Sequence, residues 1–316
     1  MLEVSGLYDG SAAGPVDGLD LVVVGAASRD ITPDDPRGWR LGGAASYASL
    51  AAARLGLRVG CVMGVDEAAA EAEELGVLEA AGVLVCRVPL DRGPVFENIE
   101  RDGHRRQRWL SASDAVPVAA LPTEWRGVRG WLLGPVAGEL REEWAEVAAT
   151  RDDACVAIGW QGLLREFAAD GWVERVDPAP SPLLKASGLV VASVHDVAPG
   201  ANLSDLRAFA PRATVVLTAG DRGGLVMRDT NFFRYPAIGA PQVADPTGAG
   251  DVFLAALMAV WLHSGELATP RALRFAAAAG SCAVEGAGLG GVPSPAQVNE
   301  RIRETGTTSQ PRGSNR

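Results

Sequence analysis

Leu21–Ala27 reads LVVVGAA, a run without a single polar side chain. A strand with one solvated face alternates apolar and polar residues. An unbroken run suits a strand covered on both faces, as in a parallel sheet held between helices. The next segments keep to that scheme. Ala44–Leu55 has helical composition and ends at Gly56, a residue suited to the turn that closes a helix. Val59–Val65 reads as a second buried strand, and Ala68–Ala81 as an Ala/Glu/Leu helix followed by Gly82. This β–α–β–α succession predicts an α/β fold with a central, mostly parallel sheet covered by helices.

The rhythm then breaks. Val83–Val88, Val95–Arg101 and Arg105–Leu110 alternate more, with turn signals at Asp91-Arg92-Gly93 and Asp102-Gly103. They predict a small antiparallel lid. Beyond it, Trp131–Leu133, Cys155–Ile158, Leu189–Ala192 and Val215–Thr218 read as further buried strands, and Val252–His263 and Arg271–Val284 as apolar helices. No repeat or linker divides the chain. Residues 19–304 are expected to form one domain, with the β lid at about 30–41 and 86–113. Residues 1–18 are expected to be loose, and the polar stretch 305–316 a disordered tail.

Charge narrows the partners. The net charge of −10 gives no general attraction to nucleic acid or anionic membrane. Bound phosphate would have to be met locally, by backbone N–H groups and a metal. Hydrophobic residues at 47% supply a sizeable core. Cys61, Cys86, Cys155 and Cys282 lack metal-site spacing and read as small buried hydrophobes in a reducing compartment. The first residues carry acids and no basic region. No uncharged apolar run approaches the roughly 18 residues of a membrane span. A soluble, cytoplasmic protein is expected.

The most specific chemistry lies in Asp245-Pro246-Thr247-Gly248-Ala249-Gly250-Asp251, immediately before an apolar helix. Small residues let the backbone turn tightly and approach a ligand. The first N–H groups of the helix then point into the turn and form an anion hole. Asp251, at its mouth, could take a proton from an attacking hydroxyl while the N–H groups hold the transferring charge. Read alone, Gly-Ala-Gly-Asp is more often a plain helix cap and turn. Gly42-Gly43, between an extended segment and a helix, could let a polyol approach the backbone or could be a simple turn.

Taken together and in this order, these motifs resemble the PfkB/ribokinase family. Asp245–Asp251 is similar to its C-terminal signature and Gly42–Gly56 (GGAASYASLAAARLG) to its N-terminal one. Thr218-Ala219-Gly220-Asp221-Arg222-Gly223 is similar to its nucleotide loop. The resemblance spans roughly residues 20–300. It implies a ribokinase-like three-layer α/β/α sandwich with a small β lid, and transfer of the ATP γ-phosphoryl group to a hydroxyl of a sugar, cyclitol or nucleoside. It implies Asp251 as base, with the backbone of Gly248, Ala249 and Gly250 as anion hole. Thr218, Gly220, Gly223, Asp245 and Thr247 would bind the nucleotide. Asp30, Gly42, Gly43, Asn98 and Gln161 would meet the acceptor. Mg²⁺ would bridge the phosphates near Asp196 and Ser193; a monovalent cation and a homodimer are compatible with the family.

Phe96-Glu97-Asn98-Ile99, Arg106 and Gln107, Gln161-Gly162 with Arg165, and Glu285–Ser294 resemble the inositol-kinase-like branch. Three positions depart from family patterns. Ser193-Val194-His195-Asp196 replaces the metal-linked Asn-x-x-Glu. Tyr47 stands where many sugar kinases have Asn, which argues against a ribose- or fructose-like acceptor. Gly159 replaces an acid of the inositol-like branch. Two other classes remain for comparison. A non-catalytic PfkB-like scaffold would have no need of Asp251. A dinucleotide oxidoreductase would carry GxGxxG after the first strand, where Ser28-Arg29-Asp30 stands instead.

Overall fold

The structure, a computed structural model, describes residues 18–101, 104–201 and 208–307. The expectations for 1–17 and 308–316 lie outside them. The strands in chain order are β1 (Leu21–Ala26), β2 (Ser28–Ile31), β3 (Trp39–Gly42), β4 (Val59–Val65), β5 (Leu84–Pro89), β6 (Val95–Arg101), β7 (His104–Ser111), β8 (Gly130–Leu133), β9 (Cys155–Gly159), β10 (Arg165–Phe167), β11 (Val173–Arg175), β12 (Leu189–Ser193), β13 (Thr214–Thr218), β14 (Gly224–Arg228) and β15 (Asn231–Tyr235). Nine form the main sheet, in the order β15-β14-β13-β12-β9-β8-β1-β4-β5. The pairs from β13 to β5 are parallel; β14 pairs antiparallel with both β13 and β15 and is the one strand of this sheet that runs against the others.

Both faces of the sheet are covered, which explains the unbroken apolar runs. Leu21 and Val23 of β1 pack in one core with the helices Ala44–Arg54, Ala249–Ser264 and Pro270–Ala283. Val22 and Val24 face a second core with Trp131, Trp144 and Trp160. The helix Ala249–Ser264 is buried along Val252–Val260, the signature of a helix with no solvated face in its middle.

The lid is a separate four-stranded sheet, β3-β2-β6-β7. Two expectations need correcting. Val83–Val88 is not part of the lid: β5 pairs in parallel with β4 at the edge of the main sheet. Its alternation arises because an edge strand is half exposed, and Leu84 is 55% accessible. Ala68–Ala81 is two helices, Glu67–Ala70 and Glu73–Ala80, parted by the extended backbone of Ala72. In addition, the helix Pro295–Thr307 runs into the stretch expected to be disordered from residue 305.

The strand order reverses beside β1: β4 and β5 build out on one side, then β8, β9, β12 and β13 on the other. In open α/β sheets the crevice at such a switch point, outside the carboxyl ends of the strands, is the usual place for a ligand.

Candidate active site

Only Ala27 separates β1 from β2, so Asp30 stands just beyond the carboxyl end of β1. Its Oδ1 accepts a hydrogen bond from Ser28 Oγ at 2.9 Å. Its Oδ2 lies over Gly42, where a Cβ would come within 2.3 Å of that oxygen. Gly42 is therefore required for the close approach of the carboxylate. Gly43, at φ +92°, caps the helix Ala44–Arg54.

Gly248 caps the helix Ala249–Ser264 at φ +78°. The first helical bond runs from Val252 N–H to the Gly248 carbonyl, so the N–H groups of Gly250 and Asp251 precede the ladder at the positive end of the helix. Tyr47 lies directly against this turn: a Cβ on Gly248 would be 2.2 Å from its Cδ1. Both signature segments thus meet face to face, ring against glycine. Burial raises the Tyr47 phenol far above its ordinary value, and the fields of Asp30, Asp245 and Asp251 add to that. Tyr47 stays protonated.

The carboxyl of Asp251 is pushed up to about 7, first by burial and then by the like charges of Asp196 and Asp30; Arg165 acts in the opposite sense. A carboxylate poised near neutrality suits a general base. Asp196 sits in the turn after β12. Its Oδ2 accepts from Ser193 N–H at 3.0 Å and its Oδ1 from Gln161 Nε2 at 2.9 Å. Arg165 pairs with it at 3.8 Å. His195, next to it, is exposed.

Thr218 pairs in register with Ser193 at the ends of β13 and β12, and Gly220–Gly223 make the tight turn into β14. The expected nucleotide loop therefore adjoins the Ser193–Asp196 turn. Asp245 acts as a brace. Its oxygens accept from the N–H groups of Thr247 (2.9 Å) and Gly288 (3.3 Å) and tie the signature turn to the 288 loop. Asn98 is on the lid, where its Oδ1 accepts from Gln107 Nε2 at 3.0 Å. It shares a strand face with Phe96, which packs with Ala44, Val136 and Ala137.

The structure thus gathers Asp30, Gln161, Asp196 and Asp251 with Arg165, and supports them with Tyr47. The sequence marks Arg165 only by its nearness to Gln161-Gly162, and Tyr47 only by its place after the double glycine. Glu139 carries no sequence signal at all. It is fully buried and accepts from Ala26 N–H (3.3 Å), Val136 N–H (3.0 Å) and Ala137 N–H (2.7 Å). It ties the end of β1 to the loop after β8.

Among the described residues, no cluster of three or more His, Cys, Asp or Glu is placed to close on a metal. Mg²⁺ does not need one, since it keeps water and phosphate oxygens and often takes one or two carboxylates. Asp196, aimed by Gln161 and Ser193, fits that role through water. No helix among the described residues is long and apolar enough to cross a membrane.

Comparison with known proteins agrees with this fold. Residues 197–297 match the model of the pfkB family carbohydrate kinases. A cytidine kinase of Thermococcus kodakarensis is 27% identical over 264 residues, 76% of this chain and 88% of that protein. An inositol 3-kinase of Arabidopsis thaliana is 33% identical over 193 residues, 59% of this chain and 52% of that one. Among solved structures, a pyrophosphate-dependent kinase of the ribokinase family, complexed with a pyrophosphate analogue and myo-inositol, superposes with a TM-score of 0.69 at 19% identity, over 90% of this chain and 99% of that one. Arabidopsis thaliana ribokinase, complexed with ribose and ATP, gives 0.66 at 18% over 91% and 99%. The fold is that of the ribokinase-like kinases, and residues 197–297, which include the C-terminal signature, are similar to the pfkB family carbohydrate kinases.

Proposed function

We propose that the chain transfers the γ-phosphoryl group of ATP to a hydroxyl of a small polyol, a sugar or a cyclitol such as myo-inositol. The observation that carries this reading is Asp251: a half-buried carboxylate poised near neutrality, the third residue of the helix that Gly248 caps, within the field of Asp30 and Asp196. The acceptor hydroxyl loses its proton to Asp251. The N–H groups around Gly248–Gly250 hold the charge that develops on the transferring group. Asp30, Gln161 and Asn98 offer polar contacts to the polyol, and Gly42-Gly43 allow its close approach. Thr218, Gly220 and Gly223 line the nucleotide, with Thr247 in the turn that Asp245 braces. Mg²⁺, held through water by Asp196 next to Ser193, would neutralise the phosphates and polarise the bond that breaks.

Similarity to an inositol 3-kinase supports the cyclitol, and the lid contact between Asn98 and Gln107 lies in the segment that resembles that branch. A second reading, a nucleoside acceptor, is supported by the cytidine kinase, most of whose length the chain matches.

The test is turnover with ATP and Mg²⁺ on inositols, hexoses, pentoses and nucleosides, with pyrophosphate as an alternative donor and Asp251→Asn as control. Turnover on an inositol, lost by about two to four orders of magnitude in the variant, supports the proposal. Turnover on nucleosides alone moves the assignment to the second reading. Undiminished turnover in Asp251→Asn removes the base from its role.

A further inference from the structure

Among the described residues, Glu139 is the acid with the least accessible surface, and the reaction above does not use it. Its Oε1 accepts from Ala26 N–H at 3.3 Å and from Val136 N–H at 3.0 Å, and its Oε2 from Ala137 N–H at 2.7 Å. A buried carboxylate is costly unless hydrogen bonds replace its water. A turn such as Val136–Glu139 does not need one, since a hydroxyl or an amide closes turns as well. The bond that no local turn requires is the one to Ala26, 113 positions away in the chain.

Ala26 ends β1 beside the double glycine. A Cβ on Gly43 would stand 2.5 Å from the Ala26 carbonyl oxygen and 2.9 Å from Ser28 N, so Gly43 is seated directly on this stretch. Ser28 in turn donates to Asp30. The residue that Glu139 holds by its N–H thus supports Gly43 with its carbonyl and leads into Asp30.

The other segment that Glu139 holds carries the rest of the acceptor side. The Pro135 carbonyl leaves no room for a Cβ on Gly162, the residue after Gln161. Val136 and Ala137 pack with Ala44, which follows Gly43, and with Phe96 of the lid, on the strand face that Asn98 shares. The backbone carbonyl of Glu139 also accepts from Val116 N–H at 2.9 Å, in the segment that returns from the lid. The entry to the lid, the exit from it and the floor beneath it therefore meet at one side chain and its own backbone. The expected nucleotide loop lies elsewhere: Thr218 ends β13, and β12, β9 and β8 stand between that strand and β1.

We propose that Glu139 is a positioning residue for the phosphate acceptor: by joining Ala26 to Val136 and Ala137, it sets the spacing between Asp30 and Gly43 on one side and Gln161 and the lid on the other. Glu139 itself touches neither substrate. This deepens the kinase reading and rests on it. The consequence is a split between the two substrates. Loosening the joint displaces the acceptor contacts and leaves the nucleotide contacts, three strands away across the sheet, where they are.

The experiment compares wild type, Glu139→Asp and Glu139→Gln in turnover with ATP, Mg²⁺ and the acceptor the wild type uses, and in direct binding of ATP without acceptor. Asp keeps the charge but is one methylene shorter, so it can stay with Val136 and Ala137 in its own turn and gives up the long bond to Ala26. Gln keeps the length but turns an NH₂ group toward backbone N–H donors. Each variant is expected to raise the acceptor KM about tenfold and to lower acceptor kcat/KM about 10²-fold, the scale of a displacement of about 1 Å in a positioned site. The Kd for ATP is expected to stay within about threefold of wild type. A role confined to stability, in protein still folded at the assay temperature, would move neither constant. An acceptor KM within about threefold of wild type in Glu139→Asp overturns the proposal. Equal weakening of ATP and acceptor, the mark of general loosening, overturns it as well. If Glu139→Gln does not fold, Glu139→Asp decides by the same two constants. A wild type that phosphorylates no acceptor overturns the kinase reading and this proposal together, whereas an active wild type beside unaffected variants overturns this one alone.

Discussion

Gly248→Ala tests the joint between the two ends of the chain. The backbone there has φ +78°, which costs a residue with a Cβ about 1–2 kcal/mol. The added methyl would also stand 2.2 and 2.4 Å from Cδ1 and Cε1 of Tyr47, where about 3.5–4.0 Å is comfortable. The ring is 3% exposed and cannot swing into solvent. Relief must come from moving the helix start or the helix Ala44–Arg54, an overpacking cost of about 1–3 kcal/mol. The expected destabilisation is therefore about 2–5 kcal/mol, read as a lower urea midpoint at constant slope. The two contributions separate in a double-mutant cycle. Tyr47→Ala is itself destabilising, but in its background the steric part of Gly248→Ala disappears and only the dihedral part remains. The double variant should be more stable than the sum of the singles by about 1–3 kcal/mol. In folded Gly248→Ala, kcat should fall about 10²-fold, because an ångström of displacement in a positioned site has that scale of effect. A single variant that loses less than about 1 kcal/mol, or a cycle that is additive, would refute the contact between Tyr47 and the signature turn.

Wild-type kcat/KM should fall with acid below about pH 7, since Asp251 must be ionised to act as base; a flat profile from pH 5 to 8 would contradict the raised carboxyl. The same group gives a stability signature of definite sign. Between its unfolded value of 3.8 and about 7 the native state binds the extra proton, so stability falls as pH rises through that window, and Asp251→Asn should flatten the fall in denaturant titrations. Asp196→Ala should raise the Mg²⁺ concentration for half-maximal rate, and an unchanged Mg²⁺ curve would remove Asp196 from that role. Glu139→Ala should cost about 3 kcal/mol or more in urea unfolding, because it strands the buried N–H groups of Ala26, Val136 and Ala137; a loss under about 1 kcal/mol would mean that water replaces the carboxylate.

The parallel core is legible in the amino-acid sequence, because burial on both faces leaves a local mark. Leu21–Ala26, Val59–Val65 and Leu189–Ser193 are strands whose apolar runs need no partner to be recognised. The apolar helix after the signature turn is equally readable, although it begins at Ala249, three residues before the Val252 at which the sequence suggests it. The edges are not. β5 alternates like a lid strand because its outer face meets solvent, and only its pairing with β4 distinguishes the two. The β10–β11 hairpin and the β14–β15 pair leave no clear signal in short, partly exposed strands. For the site, the sequence determined which carboxylate follows the Gly248–Gly250 turn. Tertiary structure alone decided that Asp30 and Asp196 come close enough to raise it, that Arg165 stands among them, and that Tyr47 closes against Gly248. The reason is physical: backbone preference and burial periodicity act over a few residues, whereas the electrostatics of a site sum over groups brought together by folding, and no local pattern records which distant side chains those will be.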